Sequence, residues 1–409
     1  MTRIGLGPSA IARYLGRPMK PLTYLDNNAT TRLLPEVLEA MLPFLAEEHG
    51  NPSSAYRLGS RAHRAIERAR EQVAALVGAE VEEIIFTGSG TEGNNTAVES
   101  ALKAFPSRRH VITSSIEHSA ILKHADALAR RGYEVTRLPV DRDGRIAPAS
   151  VEAALRDDTA LVTVMWANNE TGVISPIQEI AAACRNRGVL FHTDAVQAAG
   201  KTPLDFRALA GVSYASISGH KLHAPKGVGA LFVRNGAPFT NYFFGGSQEE
   251  GRRPGTENVA SIVALGRAAE IAAEGLRDGT ALGIEAKRDR LERGLLARLP
   301  GAETNTLAPR IPNTSSLHFP GLEGGALLLL LDKENLAASA GSACAAGSAH
   351  LSHVLGAMGF SVDRARASLR FSLSRLTTDE DVDRALEIIP RAVEKLRAAT
   401  AAGPVLVSG

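Results

Sequence analysis

The sequence predicts an α/β fold, a mainly parallel sheet with crossover helices followed by a smaller α+β unit. Three observations predict it. Short apolar runs alternate with helical stretches from about Glu83 to Arg234, the pattern of a parallel sheet. Two neighbouring runs end in chemistry-bearing side chains, one in Asp194 and the next in His220 and Lys221. Open α/β sheets bind ligands in the crevice at such strand ends. Beyond Glu257, two long helical stretches lead into a region where strands and helices mix less regularly.

The elements follow in order. Ser53 to Gly78 has the amphipathic period of a long helix. Glu83 to Thr87 is an apolar strand and Glu92 to Lys103 a helix. His110 to Ser114 is a strand, then His118 to Arg131 a helix. Ala160 to Trp166 is a strand, then Pro176 to Arg187 a helix. Val189 to Asp194, Tyr214 to Ser218 and Gly229 to Arg234 are further strands. Glu257 to Glu274 and Ala281 to Leu299 are the long connecting helices. After them come strand Ser315 to Phe319, helix Gly325 to Leu331, strand Arg370 to Leu373 and terminal helix Asp379 to Ala399. The expected division is a basic tail over 1–20, a large domain over 21–265 and a small domain over 266–409. The first residues of the large domain are allowed to pack with the small one.

Composition sets bounds. Of 409 residues, 44% are hydrophobic and 22% charged, ordinary for a soluble globular chain and enough for two cores. A net charge of +2 leaves no footprint for nucleic acid or an acidic partner. Two cysteines, Cys184 and Cys344, exclude a disulfide framework and suit a reducing cytoplasm. They have no metal-ligand spacing. The longest apolar run, Ala326 to Leu331, is too short to span a membrane. The first twenty residues carry Arg3, Arg13, Arg17 and Lys20 and no acid. They read as a disordered basic tail, or as a start placed before Met19, rather than as a transit peptide.

Asp194 and Lys221 carry the first functional reading. Pyridoxal phosphate needs a lysine for its aldehyde and an acid for its ring nitrogen. For an isolated pair, a buried ion pair in a core is the better explanation, so the neighbouring segments decide. Gly88-Ser89-Gly90-Thr91 lies between a strand and a helix, where free N–H groups favour an anion. His118 starts a helix and reads as a cap or as a flat ring for stacking. Asn168-Asn169-Glu170-Thr171-Gly172 ends a strand and reads as a turn or as ligand contacts. Gly251 to Asn258 is a solvated basic loop or, through Thr256, a phosphate contact. Arg370 defaults to a surface strand position but suits a bidentate grip on a carboxylate. Cys344 sits among small residues, Ala340 to Gly347, where a thiol is accessible and its thiolate reactive. Cys184 reads as a core cysteine.

These segments together resemble the cysteine desulfurases, closest to the nitrogen-fixation type. The resemblance runs through YLDNNATT (24–31), SGTEGNN (89–95), SIEHSA (115–120), NNETGV (168–173), HTDAVQ (192–197), SGHKLHAPKGVGAL (218–231), GRRPGTENV (251–259), SAGSAC (339–344) and SHVLGAMG (352–359). It covers nearly the whole chain from Tyr24 on. It implies an aspartate-aminotransferase-like fold (pyridoxal-phosphate fold type I) with a seven-stranded sheet in the large domain. It implies that Lys221 carries pyridoxal 5'-phosphate, Asp194 pairs with its ring nitrogen and His118 stacks on the ring. Asn169 and Gln197 are implied at the ring-hydroxyl side, and Gly90, Thr91, Ser218 and His220 at the phosphate. In the implied homodimer, Thr256 serves the other copy's phosphate. Arg370, helped by Asn313, is implied to bind the L-cysteine carboxylate.

Cys344 is the implied nucleophile, taking sulfur as a persulfide for iron–sulfur cluster or other sulfur-cofactor biosynthesis, with a transient iron–sulfur contact. A sulfur acceptor or iron–sulfur scaffold protein is the implied partner, with neither nucleic acid nor membrane. No resident metal is implied. Two stretches depart from the family pattern. Ala345 to Leu351 (AAGSAHL) replaces Thr-Ser-Gly-Ser-Leu-Glu-Pro, and Gly324-Gly325 stands where Gly-Glu is usual. The first bears on the acceptor, not on the reaction. A selenocysteine lyase on the same scaffold is the alternative enzyme. A non-catalytic relay scaffold is the other alternative, though it would not retain Lys221, Asp194 and Cys344 together.

Overall fold

The computed structural model describes residues 22–340 and 351–401. The basic tail and Cys344 lie outside the described residues. Twelve strands are described. They are β1 (Thr23–Tyr24), β2 (Ile84–Thr87), β3 (His110–Ser114), β4 (Glu134–Leu138), β5 (Thr159–Thr163), β6 (Leu190–Asp194), β7 (Tyr214–Ser218), β8 (Gly229–Val233), β9 (Glu303–Thr304), β10 (Thr314–His318), β11 (Leu336–Ala337) and β12 (Ser368–Ser372). The main sheet has seven strands in the order β2-β8-β7-β6-β5-β3-β4. Only β8 runs against the rest, antiparallel to both β2 and β7. β3, β5 and β7 are buried along their whole length, as expected for strands covered on both faces.

Two strands of the main sheet differ from expectation. β4 has no counterpart among the expected elements. It is an edge strand of sequence EVTRL, half exposed, and lacks the apolar run that marks its buried neighbours. The regular strand expected to reach Trp166 ends at Thr163, although the N–H groups of Val164 and Trp166 still donate to the His192 and Asp194 carbonyls of β6. The backbone along this path carries Met165, Asn169 and Glu170 to the edge of a large cavity.

The helix Gly90–Ala104 crosses behind the central strands. A Cβ on its Gly93 would stand 2.9 Å from Ser216 Oγ, so glycine sets the packing distance. The helices Pro35–Ala46 and Arg57–Val77 pack with Val259–Arg277 on the same body. A Cβ on Gly266 would lie 2.5 Å from the Ala69 Cα, so the second and third of these helices touch backbone to backbone.

There are two main hydrophobic cores. The first lies on one face of the large sheet and includes the apolar stripe of Val259–Arg277 down to Leu276, while a smaller cluster packs Gly90–Ala104 and Ser119–Arg130 on the other face. The second starts at Ile284 and Leu291 and runs through β10, Gly324–Lys333, β12 and Asp379–Ala401. The change of core therefore falls in the turn between the two long helices. A boundary at 265/266 would cut a continuous helix whose stripe faces a single core. Leu25 belongs to the second core, and β1 pairs with β11. The described residues thus start against the second unit and cross to the first within a few residues. Among the described residues no helix is long and apolar enough to cross a membrane.

Candidate active site

A cavity of about 570 Å³ opens at the C-terminal ends of the parallel strands, where such sheets bind ligands. Asp194 ends β6 and Ser218 ends β7, and the two strands pair in parallel. The turn Gly219–Lys221 then brings His220 and Lys221 to the same wall. Of the residues expected here, Gly90, Thr91, His118, Asn169, Asp194, Gln197, Ser218, His220, Lys221 and Arg370 all line this one cavity.

Asp194 is buried and held at both oxygens. Asn94 Nδ2 donates to Oδ2 at 2.7 Å and the Val196 N–H donates to Oδ1 at 3.0 Å. Asn94 Oδ1, beside it, is buried with no partner. Lys221 Nζ donates to the carbonyls of Asn28 (2.5 Å) and Ala29 (2.6 Å). Its amine is thus parked on a loop that belongs to neither β6 nor β7.

His118 has two tasks. Its Nδ1 accepts from the Ala120 N–H at 3.1 Å and caps the helix Ser119–Arg130. The proton of a neutral ring then sits on Nε2. Burial lowers the imidazole pKa, Asp194 opposes this, and Lys221 and His353 reinforce it. The result is a neutral flat ring on the cavity wall. Burial and then Lys221 and Lys226 also push His220 down, to about 4.

The helix Gly90–Ala104 points its N-terminus into the cavity. Ser89 caps it by accepting from Glu92 N–H at 3.1 Å, and Gly90 and Thr91 follow at the wall. A Cβ on Gly90 would approach Val196 Cγ2 to 2.7 Å. The N–H groups of Gly90 and Thr91, at a helix N-terminus where Ser89 satisfies only the Glu92 N–H, form a seat for an anion.

Arg370 contradicts the surface default. It is 2% exposed on β12, with Nη2 donating to Asp26 Oδ1 at 2.7 Å and Nη1 to the Asn169 carbonyl at 2.8 Å. Its Nε is buried without a partner. A strand edge in the second unit therefore delivers a cation into the crevice of the first.

Two expected residues do not line the cavity. Thr256 is exposed on its loop. Asn313 is buried behind the wall, with Nδ2 donating to Asn28 Oδ1 and to the Leu373 carbonyl, both at 3.0 Å. It shapes the loop that holds Lys221. Asn168 is also structural: its Oδ1 accepts from the N–H groups of Glu170 and Thr171, closing the turn that exposes Asn169. Cys184 is fully buried, and burial pushes its thiol up to about 12.

Several residues of the site carry no signal in the sequence. Asn28 and Asn94 sit inside quoted motifs, but only the folded geometry shows one holding Lys221 and the other Asp194. His353 lines the cavity, its Nε2 3.0 Å from the Glu117 carbonyl. Glu117 is fully buried and accepts at Oε1 from Ser114 Oγ (2.5 Å) and Met165 N–H (2.9 Å). Burial pushes its carboxyl up to about 8. The segment outside the described residues is flanked by cavity-edge contacts. Ser339 pairs with Arg370 through both backbone groups, and Ser352 Oγ donates to Glu170 Oε2 at 2.5 Å.

These residues fit pyridoxal 5'-phosphate. An amine and a carboxylate face one cavity, a neutral ring stands at its wall, and the helix N-terminus at Gly90 and Thr91 suits a phosphate. The volume falls within the range of cofactor sites. Among the described residues no cluster suits a metal ion.

Comparison with known proteins agrees with this geometry. Residues 23–385 match the family Aminotransferase class-V. The chain is 51% identical to Cysteine desulfurase 2 of Trichormus variabilis over 376 residues, covering 92% of this chain and 94% of that protein. It is 50% identical to Cysteine desulfurase NifS of Azotobacter vinelandii over 376 residues, 91% and 93% of the two chains. Among solved structures, a NifS-like protein superposes with a TM-score of 0.86 at 38% identity, covering 92% of this chain and all of that one (100%). The structure titled SspA in complex with cysteine gives a TM-score of 0.76 at 34% identity, covering 87% of this chain and 99% of that one.

Proposed function

The chain belongs to the class-V aminotransferase family and is a cysteine desulfurase of the nitrogen-fixation type, and from that premise we propose how its own residues perform the reaction. The observation that carries the assignment of roles is the single cavity shared by Lys221, Asp194, His118 and the N-terminus of the helix Gly90–Ala104.

Lys221 would hold the aldehyde of pyridoxal 5'-phosphate and Asp194 would pair with its ring nitrogen. His118 would supply the flat ring beside it. Gly90, Thr91, Ser218 and His220 would hold the phosphate, and Asn169 and Gln197 the ring-hydroxyl side. When bound, the cofactor supplies an electron sink for the bonds at the substrate Cα. Arg370 grips the carboxylate of L-cysteine, its guanidinium oriented by Asp26. With L-cysteine in the cavity, the free Lys221 amine would take the Cα proton as a general base. Asn28 and Ala29 carbonyls give the released amine a resting place within the same wall. Cys344, as thiolate, attacks the substrate sulfur: the S–S bond forms and the Cβ–S bond breaks, leaving a persulfide on Cys344, while a proton added at Cβ and the proton returned from Lys221 to Cα complete alanine. The flanking contacts at Ser339 and Ser352 support a nucleophile delivered at the cavity mouth.

The persulfide sulfur goes to an acceptor or scaffold protein for iron–sulfur cluster or other sulfur-cofactor biosynthesis, in the cytoplasm. We assign a homodimer in which Thr256 reaches the other copy's phosphate. Its exposure here, away from its own cavity, supports that reading.

Alanine formation and persulfide on Cys344, both measured with L-cysteine, test the assignment. Lys221→Ala loses turnover. Cys344→Ala keeps the yellow cofactor but forms no persulfide. Sulfide release by Cys344→Ala at the parental rate would remove Cys344 from the mechanism.

A further inference from the structure

Behind the cavity wall lies a second lysine that the reaction does not use. Lys201 Nζ donates to the Gln197 side-chain oxygen at 2.9 Å and to the Gln197 carbonyl at 3.1 Å. Lys201 does not line the large cavity. It borders a separate cavity of about 60 Å³ between the helix Val259–Arg277 and the start of Thr280–Arg298, into which Lys221 also reaches.

The chemistry of the amide is constrained from both ends. An ammonium group is a donor only, so the Gln197 atom facing it is oxygen. A backbone carbonyl is an acceptor only, so the atom facing Asn28 O at 2.9 Å is the Gln197 nitrogen. That carbonyl is the one that receives Lys221 Nζ. Gln197 is 4% exposed and lines the large cavity. Its NH2 group has two hydrogens, one of which goes to Asn28. The other remains for an occupant of the cavity. Lys201, Gln197, Asn28 and Lys221 thus form one hydrogen-bonded chain from the back cavity to the reactive amine.

We propose that Lys201 is a positioning residue for the desulfurase reaction, gripping the Gln197 oxygen from behind so that the amide presents an N–H to the hydroxyl side of the bound pyridoxal ring. This rests on the assigned cofactor site. Burial, with Lys221 and then Arg370, lowers the ammonium pKa to about 7. The cation is therefore costly in place, consistent with a task that its neighbours depend on.

The test is a double-mutant cycle on cofactor affinity. Apo protein is titrated with pyridoxal 5'-phosphate, read by visible absorbance, for the parent, Lys201→Met, Lys201→Arg, Gln197→Ala and Lys201→Met with Gln197→Ala. Lys201→Met is expected to weaken binding about tenfold in the parent and less than about twofold on the Gln197→Ala background. Lys201→Arg, which keeps the charge, is expected to recover most of the loss. An equal loss in both backgrounds, or none in the parent, overturns the proposal. Should the Met variant not fold, Lys201→Gln is carried through the same cycle, where the same two outcomes overturn the proposal. Failure of the parent itself to bind the cofactor would instead strike the functional assignment.

Discussion

Replacing Arg370 with Met tests the substrate anchor. The guanidinium has five N–H donors. Two are committed, one to Asp26 Oδ1 and one to the Asn169 carbonyl. One hydrogen on each terminal nitrogen remains, the pair needed for a bidentate carboxylate. A hydrogen bond to a charged group contributes about 1.5–3 kcal/mol. Two at the low end give about 3 kcal/mol, which is about a hundredfold in kcat/KM. Methionine fills the buried space of the Arg stem, so packing changes little. Asp26, with 17% of its side chain exposed, loses its ion-pair partner but keeps some solvent. Asp26→Asn serves as the control: it keeps the guanidinium and loses only the ion pair, so its effect is expected to be well below that of Arg370→Met. The assay is alanine formation over a range of L-cysteine concentrations, with cofactor absorbance followed in parallel. An Arg370→Met enzyme with full cofactor and kcat/KM within about threefold of the parent would refute the anchor. Arg370 would then be only a strut between Asp26 and Asn169.

Three further outcomes are expected. Glu117 ionises in the unfolded chain near the ordinary value of 4.5 but in the fold at about 8. Between these values the folded state keeps a proton that the unfolded chain has lost. Stability from this group therefore falls as pH rises, by about 1.4 kcal/mol per pH unit. Glu117→Gln keeps Oε1 as acceptor for Ser114 and Met165, so its Tm, compared with the parent's from pH 5 to 9, is expected to gain on the parent as pH rises; parallel curves would count against the buried-acid reading. Arg70 grips Glu249 through two bonds of 2.7 and 2.8 Å, and Glu249 also accepts the Phe86 N–H at 2.9 Å. Glu249→Ala leaves buried Arg70 only the more exposed Glu67 carboxylate, 3.2 Å away, and is expected to cost about 3 kcal/mol in denaturant unfolding, whereas Arg70→Met with Glu249→Leu is expected to recover most of it. Gly266→Ala drives a methyl into the Ala69 backbone; overpacking of about 1–3 kcal/mol outweighs the helix propensity gained, and Tm is expected to drop.

The large domain is legible in the sequence because its strands are buried on both faces and written as apolar runs. β4 is not, since an edge strand needs no such run and EVTRL has none. The chemistry at strand ends is equally legible: Asp194 and Lys221 stand where parallel strands deliver them. Arg370 is harder. One strand of SLRFS cannot say that Asp26, more than three hundred residues earlier, faces its guanidinium. Asn94, Asn28 and Lys201 are harder still. Their importance lies in which side chain they hold, and hydrogen bonds between distant loops leave no periodic trace in a sequence. The division at 265/266 departs from the packing because a continuous helix hides a change of core at its end.

The stretch from Thr23 to Thr31 is a stitch between two bodies. Leu25 is seated in the second core and Thr23 is paired to Leu336, while the Asn28 N–H rests on Ser372 Oγ. A few atoms away, the Asn28 carbonyl holds the ammonium of Lys221. One loop of nine residues therefore joins the second core, the last strand of its sheet and the ammonium of Lys221.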